Sequence, residues 1–274
     1  MDYCELHLRY PGFKTRAVTL SYDDGAGSDR KMVEILNRYG MKCTFNLNPC
    51  SMKQDANYVQ PHELAELYSG HEIAAHGFTH PHLHDLDLGG VAYQIVKCRE
   101  ALEAASGRLV QGFAYPFGLV ETKGLVECIE NCGIRYARTA DATEKFKLPI
   151  DFMRWAPTCH HASPRLPALI DAFLTPDDAS RAWRVRPLLM FIWGHSYEFK
   201  DKWEKLEEIC QRLGGRDEIW YVTNGAFVDY LSAFRALRRS ANGQILYNPT
   251  DIDIYVHAAG KDIILPKGET ITIL

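Results

Sequence analysis

Apolar and polar positions alternate with period two over residues 17–22, where Val18, Leu20 and Tyr22 interleave with Ala17, Thr19 and Ser21. This is the pattern of a strand with two unlike faces. The run stops at Asp23-Asp24-Gly25, and a helix is expected over 30–39, with Met32, Ile35, Leu36 and Tyr39 on one face and Gly40 as its stop. The succession then repeats. Strands are predicted at 43–48, 72–75, 112–116, 136–140, 153–157, 187–193 and 219–223, and helices at 61–68, 91–106, 123–131, 163–174, 200–213 and 227–238. Seven or eight strand–helix units imply an α/β protein, either a barrel or a doubly wound sheet. Short strands that end in polar residues favour an irregular barrel.

From about Ala241 the helical period is lost. Four short strands are expected, at 244–247, 252–257, 262–265 and 270–274, with Gly260-Lys261 and Lys267-Gly268 as turns. The chain therefore divides into a barrel domain over 1–240 and a small C-terminal all-β appendage over 241–274. The appendage suits packing, with dimer formation or substrate contact as alternatives.

Composition narrows the function classes. A net charge of −4 gives no basic footprint for nucleic acid or anionic lipid. No apolar run reaches the about 18 residues that a membrane span needs. The eight cysteines form no CxxC pair and fall within predicted strands and helices, so they are expected to be reduced core residues. Met1-Asp2-Tyr3-Cys4-Glu5 lacks the basic and apolar regions of a signal peptide. That predicts a cytoplasmic protein; a chain that has already lost a leader would be extracytoplasmic. Oligomeric state, including a homo-oligomer, is not encoded in any legible pattern.

Candidate chemistry sits at strand ends. Successive residues of an extended backbone point opposite ways, so Asp23 and Asp24 are able to do two jobs, one binding a metal and the other taking a proton. His76-Gly-Phe-Thr-His80 follows the third strand, and one helical turn would bring both imidazoles to one side. His195 closes the most apolar strand, beside Gly194. Two histidines and a carboxylate are a catalytic rather than a structural ligand set, because positions stay open for water and substrate. Each feature has a plainer alternative: a turn for Asp-Asp-Gly, a solvated pair for HxxxH and a buried structural histidine for His195.

Taken together these segments resemble the polysaccharide deacetylases, the NodB-homology or carbohydrate esterase family 4 enzymes. Ser21-Tyr-Asp-Asp-Gly25 is similar to their first motif, Gly70-His-Glu-Ile-Ala-Ala-His-Gly-Phe-Thr-His-Pro-His-Leu83 to the second, Phe113-Ala-Tyr-Pro-Phe-Gly118 to the third and Ile192-Trp-Gly-His195 to the fifth. The resemblance covers about residues 15–240 and implies a distorted (β/α)7-type barrel. It also implies a divalent metal held by Asp24, His76 and His80, most often Zn2+, with Co2+ or Ni2+ in some members. Asp23 would be the general base toward the attacking water and His195 the general acid toward the leaving group. The backbone N–H of Phe117 would help hold the oxyanion. The substrate would be an N- or O-acetylated carbohydrate.

Two positions depart from the pattern. The arginine of the third motif, which braces the catalytic aspartate in the family, is Ala114 here, and the Asp-Trp pair of the fourth is Arg154-Trp155. Arg154 is therefore expected to supply the missing guanidinium to Asp23. Glu198 is expected either to orient His195 or to be a helix N-terminal carboxylate. Trp155, Tyr115, Trp193 and Tyr197 are candidates for stacking on a sugar face, with core packing as the alternative for each. Two other functions fit the same residues: an allantoinase-like hydrolase that opens a non-peptide C–N bond in a small amide metabolite, and an inactive carbohydrate-binding protein.

Overall fold

The parity of the first long strand decides what faces the middle of the molecule. The computed structural model describes residues 4–176 and 185–273. Strand β1 is Leu6–Arg9 and β2 is Arg16–Asp24. Along β2, Val18, Leu20 and Tyr22 pack outward into one hydrophobic core beneath the helices. Ala17, Thr19, Ser21 and Asp23 face inward and are all buried.

The remaining barrel strands are β3 (Cys43–Leu47), β4 (Glu72–Ala75), β5 (Gly112–Ala114), β6 (Tyr136–Arg138), β7 (Cys159–His160), β8 (Leu188–His195) and β9 (Ile219–Tyr221). They form one parallel sheet in the order β6-β5-β4-β3-β2-β8-β7. On one flank of β2, β9 pairs with Arg16, Ala17 and Val18, whereas β3 pairs with residues from Leu20 to Asp24. The connecting helices are α1 (Asp29–Arg38), α2 (Pro49–Gln54), α3 (Leu64–Leu67), α4 (Leu88–Ser106), α5 (Leu125–Asn131), α6 (Leu166–Leu174), α7 (Glu204–Leu213) and α8 (Asn224–Arg235). Parallel neighbours require such crossovers, and covering helices account for the apolar outward face of each strand. This is the distorted barrel expected from the alternation of elements.

One predicted strand is replaced. Over residues 153–157 only a single bridge forms, Arg138 to Trp155, and the pairing with β8 begins two residues later, at Cys159 and His160. Pro157 has no N–H to give a ladder, which accounts for the interruption. The segment still joins β6 to β8: Trp155 donates its N–H to Ala137, and Thr158 donates to Phe191.

The C-terminal strands β11 (Ile245–Tyr247), β12 (Ile254–Ala258), β13 (Lys261–Leu265) and β14 (Thr270–Thr272) form two antiparallel sheets. One also takes in β1, with Leu6 opposite Ala258, and the other takes in β10 (Arg238–Arg239). Leu274, the end of the last predicted strand, lies outside the described residues. These strands share a second core with α8 and with the inward residues Ala17, Trp155 and Phe191. The base of the barrel is thus plugged by apolar side chains, and the polar groups are left at the strand C-termini. No helix among the described residues is long and apolar enough to cross a membrane.

Candidate active site

The inward face of β2 becomes progressively more polar toward its C-terminus. Thr19 donates to Asn224, Asn46 donates to Ser21 Oγ and to Asp23 Oδ1 at 2.8 Å each, and Asp23 ends the column. Asp23 is 2 % exposed. Its second oxygen accepts from Arg138 Nη2 at 2.5 Å. Burial alone would raise the Asp23 pKa. The charge and hydrogen bond of Arg138 lead the effects that outweigh it, so the net shift is downward and Asp23 stays ionised.

Asp24 leaves the strand. Its φ is +79°, a left-handed value that costs a non-glycine residue energy. That kink returns the second carboxylate to the side of the first. Asp23 Oδ2 is 3.8 Å from His76 Nε2, and Asp24 Oδ1 is 3.7 Å from the same nitrogen. The opposite directions expected of neighbouring strand residues therefore do not hold here.

His76 follows β4, is buried, and donates Nδ1–H to the Ala114 carbonyl at 2.8 Å. A carbonyl only accepts, so the proton is on Nδ1 and the Nε2 lone pair faces Asp24 and His80. The two Nε2 atoms are 3.2 Å apart, and His80 Nε2 is 3.8 Å from Asp24 Oδ1. No helical turn joins the two histidines. Gly77 and His80 both have positive φ, +77° and +56°, and this loop brings the rings together edge to face. Burial, and then the proximity of His76, lower the His80 pKa and favour a neutral ring with a lone pair to give. One ligand atom from each of Asp24, His76 and His80 lies within 4.8 Å of the others. Two imidazoles and a carboxylate fit a borderline divalent cation such as zinc.

His195 stands across from this group, with Nε2 3.9 Å from Asp24 Oδ2. β2 and β8 pair Asp23 directly with His195, which is why the two strand ends meet. Tyr197 lies tilted against the His195 ring at 5.1 Å and points its hydroxyl at Asp24. Phe117, with φ +60°, is 62 % exposed and stacks on His82 at 3.8 Å between ring centres. Two exposed aromatic rings therefore flank the cluster of Asp24, His76 and His80.

Other expected contacts fall elsewhere. Arg154 does not reach Asp23: its exposed guanidinium pairs with Glu121 at 2.5 Å and Asp151 at 2.7 Å. The contact belongs to Arg138, whose side chain is 1 % exposed. Arg138 is the register partner of Ala114 on the adjacent strand, so the guanidinium enters from one strand over. Trp155 is buried against Phe191 and Phe227 at the base of the barrel, and Tyr115 is buried with its hydroxyl donated to the Met153 carbonyl. Neither forms a rim. Trp193 faces the interior, beneath the Arg138 guanidinium at 4.5 Å from its ring centre.

Beyond Arg138, two further features were not anticipated. Asn46 orients Asp23, and a buried carboxylate, Asp29, accepts from Tyr68 Oη and Ser196 Oγ. Burial pushes the Asp29 pKa up to about 7, against the lowering effect of those two hydrogen bonds. Parity signals Arg138: Ala137 faces outward, so Tyr136 and Arg138 face inward.

The polysaccharide deacetylase family model matches residues 11–137, a segment that holds Asp23, Asp24, His76 and His80 and stops before Arg138 and His195. Peptidoglycan-N-acetylglucosamine deacetylase PgdA of Listeria monocytogenes is 27 % identical over 140 residues, 50 % of this chain and 28 % of that protein. The chain thus spans between a quarter and a third of the length of the curated relatives it matches. Among solved structures, a family 4 carbohydrate esterase from Streptomyces lividans in complex with acetate superposes with a TM-score of 0.51 and 18 % identity, covering 76 % of this chain and 92 % of that one. A mutant of BA3943, a CE4 family pseudoenzyme, with restored enzymatic activity gives 0.53 and 18 %, over 81 % and 70 % of the two chains. At these identities the structural likenesses speak to the fold. The family match over residues 11–137, the shared motifs and the barrel thus make this chain similar to the polysaccharide deacetylases, the NodB-homology or carbohydrate esterase family 4 group.

Proposed function

We propose that the protein is a metal-dependent hydrolase that removes acetyl groups from an N- or O-acetylated carbohydrate. The observation that carries this is the division of labour between two adjacent carboxylates. Asp24 shares its oxygens with His76 and His80, whereas Asp23 is held apart by Arg138 and Asn46.

Asp24, His76 and His80 would hold a divalent cation, with zinc the best match to this donor set, which would supply Lewis acidity and lower the pKa of water. Asp23, kept ionised by Arg138, takes the proton of the attacking water. The backbone N–H of Phe117 stabilises the oxyanion that forms on the acetyl carbonyl. His195 gives its Nε2 proton to the leaving amine or alcohol as the carbon–heteroatom bond breaks. Phe117 and Tyr197, the exposed rings beside the site, offer flat faces to a sugar ring. The name of the PgdA relative, an N-acetylglucosamine deacetylase, and the acetate in the Streptomyces lividans esterase complex support an acetyl substrate.

The test joins metal analysis to an acetate-release screen on acetylated oligosaccharides, acetate esters and small cyclic amides. Wild type should bind one zinc and release acetate, and Asp23→Asn should keep the metal and lose at least 100-fold in rate, the scale of general-base catalysis. Metal binding without turnover on any member of the panel would refute the proposal.

A further inference from the structure

Glu198 turns back to accept the His195 backbone N–H at 3.1 Å and so caps the turn after β8, the helix N-terminal role expected of it. A different group of rings, beside His80, has no part in the chemistry above. His82 stacks on Phe117 face to face, with ring centres 3.8 Å apart and planes 19° from parallel. His80 meets the same ring edge-on, at 4.5 Å and 72°. His82 itself takes no place in the ligand group of Asp24, His76 and His80. Its backbone is fixed from below. The His82 carbonyl accepts the Asp85 N–H at 3.1 Å, and the next residue, Leu83, is buried in the core.

Phe117 needs such support. It is the third residue of a turn from Tyr115 to Gly118, closed by the Gly118 N–H donating to the Tyr115 carbonyl at 3.0 Å. Pro116 sets the entry to the turn, and Phe117 follows with φ +60° at a position that glycine usually fills. A side chain in that conformation costs energy, so the turn persists only where its surroundings hold it. The ring is 62 % exposed, and burial in the core does not fix it. The turn's own bond does not use the Phe117 N–H, the donor assigned above to the oxyanion. Gly77 lets the two loops close on each other, since a Cβ there would lie 3.3 Å from Pro81 and 3.5 Å from Pro116.

We propose that His82 is a positioning residue for the reaction: its stack on the Phe117 ring holds the turn and so aims the Phe117 N–H at the developing oxyanion. The inference rests on the assignment of that N–H as the oxyanion donor. Such a donor works only if it is aimed before the charge develops, and a displacement of about 1 Å is enough to lose much of its effect. His82 covers one face of Phe117 and leaves the opposite face to a sugar ring. The stack thus supports the turn without taking the substrate's place.

The split between kcat and KM on an N-acetylated amino-sugar oligomer tests the proposal. His82→Ala should lower kcat about 10-fold with KM within about twofold of wild type, a fraction of the roughly 100- to 1,000-fold that loss of a whole oxyanion donor costs. His82→Phe keeps a flat ring and should recover most of that rate. Deuterium exchange gives a readout that needs neither substrate nor metal. The amides of residues 113–119 should exchange at least about threefold faster in His82→Ala than in wild type, and His82→Phe should return them toward the wild-type rate. A loss carried by KM would mean that His82 contacts the sugar, and would overturn the proposal. So would a His82→Phe enzyme as slow as His82→Ala, or exchange that His82→Ala leaves unchanged. Wild type inactive on every acetylated substrate would instead bring down the deacetylase reading, and the exchange comparison would still judge the stack.

Discussion

Replacing Arg138 by methionine removes the only cation in direct contact with Asp23 among the described residues and keeps most of the side-chain volume. Both partners are buried, with side-chain exposures of 1 % and 3 %. Asp23 Oδ1 remains bonded to Asn46, an uncharged donor. Breaking a buried ion pair from one side leaves an uncompensated charge and costs about 3–5 kcal/mol, far more than the net worth of the pair. Part of that cost will appear as a rise in the Asp23 pKa, since the largest lowering influence on it is gone. Arg138→Met should therefore lower unfolding free energy at pH 7 by roughly 3 kcal/mol in urea titrations, and acetate release should fall by at least tenfold as the base loses its ionised form. Arg154→Ala is the matched comparison. Its ion pairs are exposed, of the kind worth about 0–1 kcal/mol, so its stability and rate should stay near wild type. A relocation experiment sharpens the point: Ala114→Arg combined with Arg138→Ala puts the guanidinium on the register partner, and should recover part of the activity lost in Arg138→Ala. If Arg138→Met is within 1 kcal/mol of wild type and fully active, or if Arg154→Ala costs as much, the assignment of the brace to Arg138 is wrong.

Three further outcomes are expected. Asp29 has a folded-state pKa raised to about 7, so its contribution to stability is complete below the unfolded-state value and is lost as pH rises through about 7. Asp29→Asn should thus gain on wild type by about 2–3 kcal/mol between pH 5 and pH 8 in urea unfolding, from roughly two pH units at 1.4 kcal/mol each; a constant difference across that range would contradict it. Chelation with a zinc-selective ligand should lower the melting temperature of wild type but not of His76→Ala/His80→Ala, because a cation bound only to the native state stabilises by mass action; equal shifts would show that the cation sits elsewhere. Gly194→Ala should destabilise by about 1–3 kcal/mol through overlap with the buried His161 ring, and His161→Ala in the same chain should return most of it, as measured by thermal unfolding.

Much of the barrel was legible because strand and helix periods are local properties. Alternation from Val18 to Tyr22 separated an apolar outward face from a small, polar inward one, and the inward face led to Asp23. His76 and His195 were found for the same reason, as polar groups that end apolar strands. The C-terminal strands were likewise visible from their turns. Their partnership with β1 was not, since Leu6 and Ala258 pair across most of the chain and no periodicity records distance in space.

The sequence by itself pointed to the residues proposed to carry the chemistry, because metal ligands and acid–base groups need particular side chains at particular strand ends. Only the tertiary structure decided which groups hold them in place. Arg138 and Arg154 are both arginines within predicted strands. The first faces inward on β6, beside the position occupied by Ala114, and the second is turned out to Glu121 and Asp151. A guanidinium reaches across the width of a strand, so a charge needed at Asp23 can be delivered from either neighbour. Parity and register select between them, and both are settled by which strands lie side by side. The same holds for Asp24, whose left-handed backbone brings two adjacent carboxylates to one imidazole although strand geometry alone would part them.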